Sequence, residues 1–354
     1  MTLPTEPIGS IPRPPELLAM LDRYRNGQAT LEQLNKVYDE ALLDSIKCFE
    51  ETGSPVISDG EQRKSSFATY PLEGLDNLAN DGISIPFSDG HYRQLPRLTS
   101  GPFRYQKYAV NYLQSAQAYA HVPVKQAVIS ASALSLLYPE GGLSGYGREA
   151  FLYDLIHEVA QDIRWCLEAG AHCVQVDFTE GRLAIKLDPS KTLLRQFVEL
   201  NNRVLDQFSF EQRKKIGIHT CPGGDLDSTH SADVDYAELL PDLFQLNAGN
   251  FYVQLASEKE PEKVLRAIQQ HLKPHQRVFV GVINVLNNDV EAVKTVCDRV
   301  LQAANYIPLE QLGTTDDCGF SPFEDDTSTG REIAFAKIRA RVLGTQIASK
   351  MLGI

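Results

Sequence analysis

The feature that most constrains the fold is a repeated alternation of short apolar runs and amphipathic helical segments. Runs typical of buried strands recur at 6–10, 55–58, 124–130, 173–177, 216–218, 251–255, 278–283 and 309–314. Helical segments follow them, with short connections on one side and long polar loops on the other. The pattern predicts an α/β protein, a single (β/α)8 TIM barrel over residues 1–354 whose site lies at the C-terminal ends of the strands. A doubly wound open sheet is disfavoured because no Gly-x-Gly-x-x-Gly follows an early strand.

The segment 65–104 departs from the alternation of strands and helices. Residues 65–104 are irregular and rich in Gly, Pro and Asp, and a segment of that length predicts a lid rather than a simple connection.

Capping boxes are expected where Thr30 is followed by Gln33 and where Thr329 is followed by Glu332. Both pairs predict the start of a long helix.

The motif with the clearest chemistry is His219-Thr220-Cys221, which ends the apolar run at 216–218. Side chains alternate along a strand, so His219 and Cys221 point to the same side. A later apolar run leads into Asp316-Asp317-Cys318-Gly319. Two Cys and one His with an open position are a known catalytic zinc arrangement. The sequence therefore predicts one zinc ion held by His219, Cys221 and Cys318, although an isolated His-x-Cys is equally compatible with buried strand-end residues.

A metal-bound thiol is deprotonated, so such a site keeps a substrate thiolate ready to attack an electrophilic carbon and form a thioether. Glu61 and Asp177 then fit as anchors for a substrate amine or as proton-transfer groups. Arg63 and Arg182 are candidates to bind a carboxylate or sulfonate. The structural alternative is that Asp59, Glu61 and Asp177 cap helices.

Composition limits the partners. The net charge of −12 and the pI near 5.2 argue against nucleic acid and against acidic membranes. Six scattered cysteines, an N-terminus without a signal pattern and the absence of a long apolar stretch predict a reduced, cytoplasmic protein with no membrane span. The expected partners are small molecules, and an oligomer is compatible with the sequence.

These motifs, taken together and in order along the whole chain, resemble the catalytic barrel of the cobalamin-independent methionine synthase family. The matching stretches are Ile8-Gly9-Ser10-Ile11-Pro12-Arg13-Pro14, Asp59-Gly60-Glu61, Gln175-Val176-Asp177, His219-x-Cys221 and Cys318-Gly319. The resemblance implies that His219, Cys221 and Cys318 bind zinc and that Ser10, Glu61 and Asp177 hold the amino-acid thiol. The predicted substrate-binding set is Ile8, Ser10, Asp59, Glu61, Arg63, Asp177 and Arg182.

Within the family, residues 175–182, 219–235 and 313–330 look most like the epoxyalkane:coenzyme M transferase branch. Three departures from the methionine synthases stand out. Gln254 takes the place of a glutamate zinc ligand, Phe178 replaces an acid after the strand-four aspartate, and residues 130–139 lack the tryptophan expected to cover a pterin. A folate donor is therefore less well supported than the zinc site.

The sequence thus predicts a zinc-dependent S-methyl/alkyltransferase that uses a small thiol of the homocysteine type and a small alkyl or methyl donor. One alternative is epoxide ring opening by coenzyme M or a similar thiol, with His230 or Asp177 protonating the alkoxide. A second alternative is a zinc- or ligand-binding barrel without catalysis.

Overall fold

The computed structural model describes residues 2–354 and is built around one parallel sheet. Strands that follow one another in the chain are neighbours in the sheet, and all pairs are parallel. The strands are Gln126–Ile129, Val174–Asp177, Ile216–Thr220, Asn250–Val253, Arg277–Ile283 and Leu312–Asp316. Nearly every strand residue is buried, as expected for a parallel sheet covered by helices. Six of the eight predicted strands are thereby confirmed.

The two other predicted runs form no strands, and only single parallel bridges occur at the edges of this sheet, the first of them one residue before the predicted run 6–10. Thr5 pairs with Thr314 of the last strand, and Ile57 pairs with Val124, just before the first. Prolines at positions 4, 7, 12 and 55 explain the short pairing, because proline has no N–H to donate to a strand ladder.

The two edge segments also contact each other. The Ile11 N–H donates to the Gly60 carbonyl at 3.0 Å, and the Ser58 hydroxyl donates to the Gly9 carbonyl at 2.7 Å. Hydrogen bonds therefore connect one edge of the six-stranded sheet to the other through the segments around Thr5 and Ile57.

Helices surround the sheet. Their bounds are Pro15–Arg25, Leu31–Glu51, Ala109–Gln117, Ala131–Ser135, Arg148–Glu168, Glu180–Leu187, Thr192–Leu205, Phe210–Arg213, Leu240–Leu243, Pro261–His271, Val293–Ala304 and Arg331–Met351. Their apolar faces and the outer sheet face form one large hydrophobic core. Among residues 2–354, none of the helices combines the length and apolar character needed to cross a membrane.

The two predicted capping boxes have different outcomes. Thr30 and Gln33 form the expected reciprocal box at the start of Leu31–Glu51. The box at Thr329 and Glu332 is wrong, because Gly330 is the N-cap of the last helix and makes no side-chain cap. Thr329 lies one residue too early, and its buried hydroxyl has no hydrogen-bond partner among the described residues.

Residues 65–104 contain two small antiparallel pairs, Leu78–Ala79 with Arg97–Leu98 and Ser84–Pro86 with Tyr92–Gln94. The tip between the second pair contacts the loop that follows the strand Ile216–Thr220. Ser88 donates its N–H to the Thr229 carbonyl at 3.0 Å, and its hydroxyl lies 2.8 Å from that of Ser228.

Candidate active site

A cavity of about 540 Å³ opens at the carboxyl ends of the strands. It collects most of the predicted site residues, namely Ile8, Ser10, Glu61, Asp177, His219, Cys221, His230 and Cys318. Asp59, Arg63 and Arg182 do not line it. The parallel sheet explains this convergence, since the carboxyl ends of all its strands meet on one side.

His219, Cys221 and Cys318 lie together in the cavity wall. One potential ligand atom from each lies within 4.8 Å of the others, and all three residues are buried. Neither ring nitrogen of His219 has a hydrogen-bond partner in the described part of the chain. Buried polar atoms are normally paired, so these orphaned nitrogens and the adjacent thiols fit a bound metal ion. Their chemistry, one imidazole and two sulfurs, suits zinc.

The two thiols crowd each other. Their sulfurs are 2.9 Å apart, and both cysteines are free. The neighbouring Cys221 sulfur and then burial raise the pKa of the Cys318 thiol well above its ordinary value. A bound cation reverses this effect because it deprotonates its thiol ligands.

The two acids before Cys318 fix the loop that carries it. Asp316 forms a buried ion pair with Arg341. Asp317 accepts backbone N–H bonds from residues 255–257 at 2.7–2.9 Å and a hydroxyl bond from Ser257 at 2.6 Å. The acidic pair therefore ties the Cys318 loop to its neighbours and leaves neither acid in the cavity.

Gln254 directly follows the strand Asn250–Val253, which pairs with the His219 strand. Its amide Nε2 donates to Ser257 Oγ and to Glu258 Oε1, both at 2.8 Å. Its buried Oε1 has no partner among residues 2–354. The amide is thus oriented by its nitrogen, and its oxygen remains free to accept a hydrogen bond.

Glu61 is presented by a strained turn. Gly60 and Glu61 both adopt positive φ, at 65° and 55°, which is unusual for a glutamate. The Asp59 carboxylate accepts the Glu61 N–H at 3.1 Å and so holds the turn from outside the cavity. Glu61 pairs with the buried Lys64 amine at 2.9 Å, and Lys64 also donates to the Ala127 carbonyl at 2.9 Å. Asp59 is therefore placed as a support for Glu61.

Asp177 stands beside His219 in the sheet register and lines the same cavity as Glu61. Gln175 donates to its Oδ1 at 2.8 Å. Burial raises the pKa of Asp177 to about 6, with His219 opposing the shift and Glu61 adding to it. Two buried acids facing one cavity favour a ligand that brings a positive charge or hydrogen-bond donors.

The positions of Arg63 and Arg182 correct the expectation that they meet a substrate acid. The Arg63 guanidinium pairs with Asp39 on the helix Leu31–Glu51. Arg182 is buried, donating from Nε to the Val234 carbonyl at 2.7 Å and pairing with Glu258 at 2.7 Å. Both guanidinium groups are held by protein acids and carbonyls outside the cavity.

His230 lines the cavity beside Gly223. A Cβ on Gly223 would lie 1.7 Å from His230 Nε2, so the loop requires glycine there. Burial, then Lys186 and Arg182, lowers the pKa of His230 to about 4. The neutral imidazole is therefore the stable form near neutral pH, which argues against the predicted role of His230 as a proton donor.

Glu180 is a cavity residue that sequence reasoning missed. Its Oε1 accepts the Ser130 hydroxyl at 2.6 Å and also the Ser132 hydroxyl, whereas its buried Oε2 has no partner in the described chain. Burial raises the pKa of Glu180 to about 7, against the effect of the two serines. The sequence signal was the Ser-x-Ser pair directly after the strand Gln126–Ile129.

The segment 65–104 covers the opposite wall with residues that include Phe67, Ile85, Phe87, Tyr92 and Leu95. Two arginines also line the cavity, and both are paired. Arg25 contacts Glu324, while Arg93 bridges Asp225 and Asp325. The cavity thus combines an apolar wall with carboxyl groups and offers no unpaired guanidinium from residues 2–354.

The chain is similar over nearly its whole length to methionine synthases of archaea. It is 24% identical over 353 residues to the enzyme of Sulfurisphaera tokodaii, covering 99% of this chain and 94% of that one. It is also 24% identical over 357 residues to the enzyme of Sulfolobus acidocaldarius, covering 99% and 93%.

Two solved structures share the fold. A B12-independent methionine synthase from Shewanella sp. W3-18-1, in complex with selenomethionine, matches with a TM-score of 0.77 at 19% identity, covering 99% of both chains. A putative vitamin-B12-independent methionine synthase from Listeria monocytogenes matches with a TM-score of 0.72 at 21% identity, covering 98% of this chain and 99% of that one.

The family described as cobalamin-independent synthase, catalytic domain, matches residues 3–329. This match confirms the resemblance drawn from the sequence motifs. The chain therefore belongs to the cobalamin-independent methionine synthase family.

Proposed function

We propose that this protein is a cobalamin-independent, zinc-dependent methyl- or alkyltransferase that converts a small thiol of the homocysteine type into a thioether. The observation that carries the proposal is the meeting of His219, Cys221 and Cys318 within 4.8 Å, beside acids that line the same cavity. The similarity to methionine synthases, one of them solved with selenomethionine, supports the same reaction class.

His219, Cys221 and Cys318 are the residues that would hold one zinc ion. Bound zinc would supply the chemistry that keeps a substrate thiol deprotonated and nucleophilic at neutral pH. Gln254 is a neutral neighbour, so we infer that the protein itself contributes three ligands and leaves one position open.

Glu61 and Asp177 would anchor the ammonium group of the thiol substrate. Both face the cavity, and burial raises the pKa of Asp177, so a ligand cation is the partner that Asp177 lacks. Lys64 forms an ion pair with Glu61, which holds the Glu61 side chain in position and neutralises part of its charge. Ser10 lies close to Gly319, where an added Cβ would be 2.1 Å from the serine oxygen, so Ser10 and Ile8 complete the wall next to Cys318.

The charges of the cavity favour an amine-bearing thiol over coenzyme M. A sulfonate needs a free cation, and the two cavity arginines already contact acids. Arg63 and Arg182 are the other candidates to bind a sulfonate, but their guanidinium groups pair with Asp39 and Glu258 outside the cavity. The alternative of a non-catalytic binding barrel is disfavoured by the strained Glu61 turn and by the unpartnered Glu180 oxygen, features typical of functional sites.

We also propose that the two edge segments close the six-stranded sheet into a single (β/α)8 barrel domain. The Thr5 and Ile57 bridges and the bonds between residues 9–11 and 58–60 support this closure. Residues 65–104 would act as the lid, anchored through Arg93 to the loops that follow His219 and Cys318. The close pair Cys221 and Cys318 needs a reducing compartment such as the cytoplasm, where thiols stay reduced.

A panel of thiols and donors tests the proposal. Homocysteine, coenzyme M and cysteine are each combined with methyltetrahydrofolate, 1,2-epoxypropane and iodomethane, and thioether is quantified by mass spectrometry. We expect enzyme-dependent product with homocysteine and loss of it in Cys221→Ser. Cys297→Ser is the matched control, because Cys297 is a buried cysteine on the helix Val293–Ala304, outside the cavity. If zinc-loaded protein forms no thioether above the enzyme-free rate in any combination, the proposed function is wrong.

A further inference from the structure

Glu180 is a cavity carboxyl whose two oxygens have different surroundings. Oε1 accepts hydroxyl protons from Ser130 and Ser132. Oε2 is buried and has no partner among residues 2–354, although Glu180 lines the cavity. A buried oxygen without a partner at a cavity wall is available to a ligand.

The two serine hydroxyls are placed to donate to Glu180, because a neighbouring N–H donor already occupies one acceptor position of each. Ser130 caps the helix Ala131–Ser135 by accepting the Ala133 N–H at 3.1 Å. Ser132 accepts from Asn201 Nδ2 at 2.7 Å. Each hydroxyl has one proton, and Oε1 is the nearer acceptor for both, since the other acceptor available to Ser132, Ser130 Oγ, lies 3.3 Å away. A proton on this carboxyl is therefore placed on Oε2, the oxygen without a partner among residues 2–354.

The surroundings favour the protonated acid. Glu180 is 4% exposed, and the same wall carries Ile129, Leu136 and Leu183. Burial raises the pKa of Glu180 to about 7, and the nearby Asp177 carboxylate adds to the shift. The other candidate acid, His230, is neutral near pH 7 because its pKa is lowered.

We propose that Glu180 is the general acid of the reaction and protonates the leaving atom of the alkyl donor. This inference rests on the proposed function. The substrate sulfur forms the new S–C bond with its lone pair, and the bond from that carbon to the leaving oxygen or nitrogen breaks. The electron pair stays on the leaving atom, which takes the proton from Oε2. Glu180 remains as a carboxylate that accepts the two serine hydroxyls. The proton lost by the substrate thiol balances the one delivered, and no oxidant or reductant is needed.

Leaving-group dependence tests this role. Initial rates with homocysteine are compared for methyltetrahydrofolate and 1,2-epoxypropane, whose leaving nitrogen or oxygen needs a proton, and for iodomethane, whose iodide does not. We expect Glu180→Gln to slow reaction with the proton-requiring donors at least about 100-fold, within the range of general acid catalysis, and to leave the iodomethane rate little changed.

Asp162→Asn is the matched control. Asp162 is a buried carboxyl with a pKa raised to about 6, and it accepts the Ala109 N–H at 2.7 Å outside the cavity. This variant should keep the wild-type ratio between donors. An equal loss with all donors in Glu180→Gln, or no loss with any, overturns the general-acid role. So does a wild type that reacts only with iodomethane. A wild type that reacts with no donor refutes the proposed function instead.

Discussion

Both ends of the sheet contain buried polar atoms without a hydrogen-bond partner among residues 2–354. Those of Thr5, Lys125 and Gln126 at the amino ends lie outside the cavity, whereas several at the carboxyl ends line it. At the amino ends, Glu6 accepts from the Tyr252 hydroxyl at 2.5 Å and lies 3.1 Å from His172 Nε2. The Lys125 amine makes no hydrogen bond to the described residues 2–354, but it lies 3.7 Å from Glu6 and 3.8 Å from the centre of the Tyr252 ring.

Around the cavity, buried atoms without a partner in residues 2–354 occur on Gln175, Glu180, His219 and His230, and all four residues line it. Because burying an unpaired polar group is costly, unpaired atoms around a cavity indicate where a ligand would pair with them. We therefore distinguish a stabilising end of the sheet from the end that carries the proposed active site, called the reactive end below.

The largest effect is expected at the reactive end. Cys318→Ser should lose bound zinc and reduce thioether formation by more than about 100-fold, the upper range for outer-shell partners of a metal site. Metal analysis by mass spectrometry and the homocysteine assay measure this. Retention of full zinc content in both Cys318→Ser and Cys221→Ser would contradict the assignment of these thiols as ligands.

At the stabilising end, Glu6→Gln should lower the free energy of unfolding by about 3–5 kcal/mol, because it leaves the buried Lys125 charge uncompensated. Urea denaturation measures the loss, and the KM for homocysteine should not change. A large change in KM with little loss of stability would show that the two ends are not separate in function.

A smaller effect is expected for Asp177→Asn. It should raise the KM for homocysteine about 10- to 100-fold, since a hydrogen bond to a charged group contributes roughly 1.5–3 kcal/mol. Zinc content should match the wild type because Asp177 is outside the proposed ligand set. An unchanged KM would remove Asp177 from the amine-binding site.

Sequence reasoning succeeded where local pattern decides the structure. The buried runs at 174–177 and 278–283 are rich in β-branched residues, and they form strands as predicted. The edge segments around Thr5 and Ile57 form one bridge each, because their prolines lack the backbone N–H that strand pairing requires. The proximity of His219, Cys221 and Cys318 was predictable because each lies at or just after the carboxyl end of a strand, and parallel strands bring those ends together.

The missed features depend on tertiary partners. Arg63 follows a strand-like run, but Asp39 on a distant helix determines its direction. Glu180 lies in the first turn of Glu180–Leu187, a helix that was not predicted, and an acid at that position ordinarily faces solvent. Its burial depends on Ser130 and Ser132 from another strand end, which no local pattern in residues 180–187 indicates.

The last predicted effect concerns pH and Glu180. The folded protein holds the Glu180 proton up to about pH 7, whereas the ordinary value is 4.5, so the folded state binds more protons between these values. This group therefore lowers stability as pH rises through that window. Glu180→Gln removes the penalty and should gain roughly 2–3 kcal/mol over the wild type at pH 8, with little gain near pH 4. Urea denaturation at both pH values measures this, and an equal difference at both would contradict the raised pKa.

X-ray absorption at the zinc edge measures whether the substrate thiol is activated beside His219, Cys221 and Cys318, as proposed. Without substrate, we expect two sulfur neighbours, with nitrogen and oxygen filling the remaining positions. After homocysteine is added, we expect three sulfur neighbours. A count that stays at two with homocysteine bound would contradict direct activation of the thiol at this site.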